Sequence, residues 1–203
     1  MPETVPIRTI IFDLSEVLLT GLKGTEHALS SVINADPKVI HAAFHGPHID
    51  RFFSGHSFED DFWHDVDRIG GWHLPLEVYR QMVRQNFHEI EGVRPTIVDL
   101  RHRGMKVGLL SNHGKEWVRD ITSRFDYEAL FDDRVYSCDV GLLKPNRSIY
   151  ELALRRLFAE PESTLVIDDH IPNLLTAREL GCHVQQFLSP HQLKSDLKSR
   201  IAS

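Results

Sequence analysis

Six polar residues stand at or just beyond the ends of apolar runs: Asp13 after "RTIIF", Ser111 and Asn112 after "KVGLL", Lys144 in "GLLKPN", and Asp168 with Asp169 after "TLVI". A carboxylate at such a position is costly to desolvate unless it meets a cation or hydrogen-bond donors. Three carboxylates brought together would repel, raising one or more of their pKa values unless a cation lies between them. A hard divalent ion with oxygen ligands resolves the conflict, and Mg²⁺ is the natural choice where a substrate contributes phosphate oxygens. Lys144, the Ser111 hydroxyl and the backbone N–H groups of the loop that begins at Leu14 would hold the other phosphate oxygens. Asp13 would then attack phosphorus and form an aspartyl phosphate that water hydrolyses. The chemistry is phosphoryl transfer.

That convergence requires a particular scaffold. Five β-rich runs, at 8–14, 106–112, 134–140, 164–169 and 182–188, alternate with helical patterns, among them "RPTIVDLRHRG", "KEWVRDITSRF", "RSIYELALRRLF" and "NLLTARELG". Near-continuous apolar strands separated by helices indicate a parallel sheet covered on both faces, an α/β doubly wound architecture. Gly104 and Gly181 mark helix stops. In such sheets ligands collect outside the carboxyl ends of the strands, where the six polar residues fall.

One interval breaks the alternation. Between the first two strands lie the helical patterns "TEHALSSVINA", "DPKVIHAAFHG", "SFEDDFWHDVDRIG" and "LPLEVYRQMVRQNFHEI", far more chain than a crossover needs. The reading is a core of residues 1–19 and 93–203 with a helical cap subdomain over 20–92. A net charge of −6 without any basic run argues against a nucleic-acid partner. The apolar run 10–19 is interrupted by Asp13 and Glu16, so it reads as neither a leader nor a membrane span, and part of it reads as a core strand. Cys138 and Cys182 lack disulfide or zinc spacing and read as buried strand thiols in a reducing cytoplasm.

The four motifs, "IIFDLSEVLL", "GLLSNHG", "GLLKPNRSIY" and "LVIDDHIPNLLTARELG", resemble in order and spacing those of the haloacid dehalogenase superfamily, most of whose members are Mg²⁺-dependent phosphatases. The resemblance spans the whole chain. It implies a Rossmann-like core, Asp13 as nucleophile, the Ser15 carbonyl and Asp169 as direct Mg²⁺ ligands, and Asp168 as a direct or outer ligand. It further implies Ser111 and Asn112 as phosphate binders, Lys144 as charge stabiliser and Asn173 as a support. The "FFSGHSFEDDFW" stretch is similar to caps of the group containing α-D-glucose-1-phosphate phosphatase and the N-terminal phosphatase domain of soluble epoxide hydrolase. The implied partner is a small phosphorylated metabolite such as a sugar phosphate, handled by a monomer or homodimer.

Ser15 departs from that pattern, because most phosphatases of the superfamily place an aspartate two residues after the nucleophile as general acid and base. In one reading His113, His170, Glu16 or a cap histidine takes over the proton. In a second the chain is a 2-haloacid dehalogenase, a branch that lacks this aspartate but needs no metal and usually loses the paired acids kept here as Asp168 and Asp169. In a third it is a catalytically impaired pseudo-enzyme acting as a binding protein. The intact remaining motifs favour the phosphatase.

Other residues carry plainer expectations. His41 and His45 have the four-residue spacing of helical metal ligands, but Gly46-Pro47 breaks the helix and no Cys or Glu completes the spacing, so they read as surface or half-buried histidines. Phe52, Phe53, Phe58, Phe62, Trp63 and Trp72 read as cap core.

Overall fold

The computed structural model describes residues 5–201. Five strands form one parallel sheet: β1 (Thr9–Phe12), β2 (Lys106–Ser111), β3 (Asp133–Tyr136), β4 (Thr164–Asp168) and β5 (His183–Gln186), in the order β3-β2-β1-β4-β5. The chain winds outward from β1 to β3 and then returns to the far side of β1. The winding direction therefore reverses at β1, whose carboxyl end leads into Asp13.

Side chains alternate across the sheet and build two cores. On one face Ile10, Phe12, Val107, Leu109, Leu165 and Ile167 pack under α6 (Val93–His102), α7 (Lys115–Arg124) and α11 (Pro190–Ile201). On the other Ile11, Leu110, Val135 and Val166 meet α9 (Arg147–Arg156) and α10 (Ile171–Glu179). This is the doubly wound sheet that the apolar runs imply. Gly104 and Gly181 follow α6 and α10 with φ of 79° and 95°, the left-handed stop expected of glycine.

Between β1 and α6 lie five helices: α1 (Thr25–Ile33), α2 (Pro37–Phe44), α3 (Pro47–Phe53), α4 (Glu59–Gly70) and α5 (Leu76–Asn86). They form the inserted helical cap. Its two linkers run side by side: the Thr20 N–H donates to the His88 carbonyl and the Ile90 N–H to the Leu18 carbonyl, both at 2.9 Å. The Asn86 side chain donates to the carbonyls of Gly21 and Lys23 at 2.6 and 2.8 Å, tying the entering linker to the end of α5.

Several sequence expectations need correction. The run 134–140 is a strand only to Tyr136, and residues Ser137–Val140 wind into the short helix α8. Cys138 is thus a half-buried helical residue, whereas Cys182 is buried; both are free thiols. Gly46-Pro47 ends α2 but also opens α3, with Pro47 at the first helical position. Phe52, Phe62 and Trp63 are fully buried, Phe53 and Trp72 are partly buried, and Phe58 is 71% exposed. Among the described residues no helix is long and apolar enough to cross a membrane.

Candidate active site

Lys144 is the centre of the site. Its Nζ lies 2.8 Å from Asp13 Oδ1 and 2.8 Å from Asp168 Oδ2, and all three side chains are buried. Burial works against the Lys144 ammonium, but the two carboxylates outweigh it and hold the pKa above the ordinary lysine value. The loop between α8 and α9 carries Lys144, and Asn112 fixes it: the Lys144 N–H donates to Asn112 Oδ1 at 2.8 Å, and Asn112 Nδ2 donates to the Lys144 carbonyl at 2.9 Å. The Asn112 side chain is thereby committed to the Lys144 backbone.

Asp168 ends β4 and is held from every side. Asn173 Nδ2 reaches both carboxylate oxygens at 3.0 Å, and the His170 N–H donates to Oδ1 at 2.8 Å. Tyr150 in turn donates to the Asn173 carbonyl at 3.0 Å. Asp169 is half-buried, and burial followed by repulsion from Asp168 raises its pKa. Carboxylate oxygens of Asp13, Asp168 and Asp169 all lie within 4.8 Å of one another.

The Leu14 N–H donates to Asp13 Oδ1 at 2.7 Å, which fixes the carboxylate's rotamer. Burial pushes the Asp13 carboxyl up to about 8; Lys144 opposes the shift, and Asp168 and Asp169 add to it. Left to this arrangement, Asp13 would be largely protonated at neutral pH and a poor nucleophile. With all three carboxylates ionised, one ammonium would leave two negative charges unmatched, so oxygen ligands and charge both fit a hard divalent cation that takes the place of the protons.

Ser111 closes β2, and its Oγ is fully buried without a hydrogen-bond partner among the described residues. A buried orphan hydroxyl is expensive, and a phosphate oxygen would satisfy it. After Asp13 the chain turns sharply: Glu16 has φ of 60°, and its Oε1 accepts the Gly21 N–H at 2.9 Å. A Cβ on Gly21 would stand 3.0 Å from Ser15 Cβ and 3.1 Å from its Oγ, so glycine lets the returning linker press against Ser15.

The structure separates the acid/base candidates. His113 is fully buried, with its ring edge-on to Phe53, Phe87 and Trp117 at centroid distances of 6.2, 6.0 and 5.8 Å. Burial, with Lys144 adding to it, pushes its imidazole down to about 3, so it stays neutral and has no imidazolium proton to give. Its Nδ1 is buried without a hydrogen-bond partner among the described residues. The His170 side chain is exposed at the start of α10. Glu16 is held by Gly21, and burial raises its pKa.

One feature left no mark at the motif level. Glu59 of α4, 3% exposed, accepts hydrogen bonds at Oε1 from Trp63 (3.0 Å) and from Trp117 of α7 (2.8 Å), and pairs with Arg84 of α5 at 2.6 Å. It joins two cap helices to a core helix.

The sequence matches the haloacid dehalogenase-like hydrolase family over residues 10–186. The chain belongs to that family. A glyceraldehyde 3-phosphate phosphatase of Methanothermobacter thermautotrophicus is 38% identical over 107 residues, 49% of this chain and 46% of that protein. Bifunctional epoxide hydrolase 2 of Rattus norvegicus is 33% identical over 89 residues, 40% of this chain and 16% of that protein. This chain spans less than half the length of these curated relatives. A family enzyme of Bacteroides thetaiotaomicron, solved with magnesium and inorganic phosphate, superposes with a TM-score of 0.75 at 19% identity, covering 90% of this chain and 95% of that one. Solved dehalogenases superpose as well, at TM-scores of 0.70 to 0.73 and 16 to 17% identity. At such identities the likeness shows the fold alone.

Proposed function

We propose that this haloacid dehalogenase-like hydrolase is a Mg²⁺-dependent phosphatase of a small phosphorylated metabolite, acting through an aspartyl phosphate on Asp13. The observation that carries the reading is the cluster of Asp13, Asp168 and half-buried Asp169, whose carboxylate oxygens lie within 4.8 Å of one another while the Lys144 ammonium meets only the first two, which supports a second cation there. A dehalogenase has no use for that excess of negative charge. The phosphatase named among the relatives supports a triose or sugar phosphate as the substrate class, and the two free cysteines fit a reducing cytoplasm.

In this reading Asp13, Asp168, Asp169 and the Ser15 carbonyl would hold the Mg²⁺, which supplies positive charge to offset the carboxylates and the phosphoryl group. Leu14 orients the Asp13 carboxylate for attack on phosphorus. Lys144, fixed by Asn112, stabilises the charge that develops on the phosphoryl oxygens. The orphan Ser111 hydroxyl donates to one of those oxygens. Asn173 keeps Asp168 aligned with Lys144. Residues 20–92 form the cap that covers the substrate and sets specificity.

The test is hydrolysis of para-nitrophenyl phosphate with Mg²⁺, with EDTA, and by Asp13→Asn. Its leaving group departs with little protonation, so the assay tolerates Ser15. Activity that requires both the metal and Asp13 supports the reading, while turnover equal to that of Asp13→Asn sinks it.

A further inference from the structure

His41 lies in the last turn of α2 and His45 is the first residue beyond it. Although the helix ends at Phe44, the two rings converge: Nε2 of His41 lies 3.0 Å from Nε2 of His45, with ring centroids 4.6 Å apart and planes at 62°. Two imidazole nitrogens bound to one ion, each at about 2.0–2.1 Å, stand about 2.9–3.4 Å apart at the cis angles of octahedral or tetrahedral sites. The observed separation falls in that window.

The sequence has no nearby Cys or Glu to complete the spacing, and the fold brings one from another helix. Glu26, in the first turn of α1, is 7% exposed and anchored by the Gly24 N–H, which donates to its Oε2 at 2.8 Å. Its Oε1 lies 3.9 Å from His41 Nδ1. At that distance Glu26 makes no hydrogen bond to the ring, but its negative charge on the Nδ1 side favours the tautomer with the proton there and leaves the Nε2 lone pair facing His45. Burial, followed by His41 and His48, lowers the His45 pKa and keeps its imidazole available as a neutral ligand. Both rings are solvent-accessible, so an ion has a path in and water can complete its coordination. His48 is not part of the pair, because its Nε2 is spent on the Ala43 carbonyl at 2.9 Å.

We propose that His41 and His45 form a second, cap-borne metal site, selective for late first-row divalent ions such as Ni²⁺, Cu²⁺ or Zn²⁺, with the Glu26 carboxylate adding negative charge beside it. Imidazole pairs take such ions and leave Mg²⁺ to oxygen ligands. The bound ion would clip the end of α2 to the turn that opens α3.

The experiment titrates the full chain with Ni²⁺ by calorimetry in excess Mg²⁺, which occupies the acidic cluster. One Ni²⁺ per chain is expected. Loss of an outer-shell partner alone costs metal sites about 10- to 100-fold, so His41→Ala and His45→Ala should each weaken binding by at least about tenfold. Both positions are exposed, and Asp13→Asn should leave the Ni²⁺ affinity unchanged. Cu²⁺ electron paramagnetic resonance gives an independent reading on the unmutated protein, where splitting from two nitrogens is expected and reduces to one in His45→Ala. Ni²⁺ affinity unchanged in both histidine variants, or a Cu²⁺ spectrum of oxygen ligands alone in the unmutated chain, would overturn the proposal.

Discussion

Ser15 is where the chemistry of this chain is thinnest, since a hydroxyl cannot titrate near neutrality in place of the aspartate common at that position. A general acid contributes roughly 100- to 10,000-fold, and most of it matters only when the leaving group is poor. Ser15→Asp should therefore raise kcat on a sugar phosphate by at least about tenfold while changing para-nitrophenyl phosphate hydrolysis little; equal effects on both substrates would contradict an acid role. The new carboxylate must point away from Gly21, which already abuts Ser15. His113 is poorly suited to replace that aspartate as the acid, because burial lowers its pKa and leaves the imidazole without an imidazolium proton to give. His113→Asn should lower stability yet leave both limbs of the pH–rate profile in place, and a lost limb would restore His113 as the acid/base. Asn112→Ala should lower kcat without abolishing it, since the Lys144 loop loses two hydrogen bonds while Lys144 keeps its carboxylate partners.

At the scale of elements, the cap is joined to α7 by more than its linkers. Glu59 binds Trp117, Arg124 of α7 donates to the carbonyls of Arg84 and Phe87 at 2.8 and 3.0 Å, and Phe52 packs on Gly114. Removing one partner of a buried ion pair leaves the other uncompensated, at about 3–5 kcal/mol. Glu59→Ala should approach the lower end, because Arg84 keeps some access to solvent. A Cβ at Gly114 would overlap the Phe52 ring, so Gly114→Ala should cost about 1–3 kcal/mol. Denaturant melts check both, and stability unchanged in either variant would mean that the cap does not lean on α7 there. The strands were legible because buried parallel strands are apolar throughout, as "TIIF" and "TLVI" are. The end of β3 was not, because "SCDV" continues the run "RVY" without a glycine or proline stop, while the Ser137 hydroxyl bonds the Phe53 carbonyl of the cap and accepts the His113 N–H. Such partners are distant in sequence. α3 hid behind a proline that can open a helix as well as close one. α11 leaves a fainter mark, with Leu193, Leu197 and Ile201 recurring at a helical interval of four.

For the whole molecule, the strand-end residues were legible as one site because a parallel sheet gathers its carboxyl ends. The charge state of that site was not, since it depends on burial. Asp13 has an ordinary carboxyl pKa of 3.8 and is raised to about 8 in the folded chain. Between those values the folded state binds more protons than the unfolded state, so this group's contribution to stability is full below pH 3.8 and is lost as pH rises through about 8. Asp169 is raised in the same sense. A cation held by these carboxylates must displace the proton, so its affinity should fall by about tenfold per pH unit below the Asp13 pKa. Since binding to the folded state alone raises the melting temperature, Mg²⁺ should stabilise the protein clearly at pH 8 and much less at pH 6. Melting curves at both pH values, with Mg²⁺ and with EDTA, measure this directly, and Asp13→Asn should flatten most of the difference. An Mg²⁺ increment that is the same at pH 6 and pH 8 would mean either that Asp13 is already ionised in the empty site or that the cation binds without it; the Asp13→Asn protein separates the two, keeping the increment only in the second case.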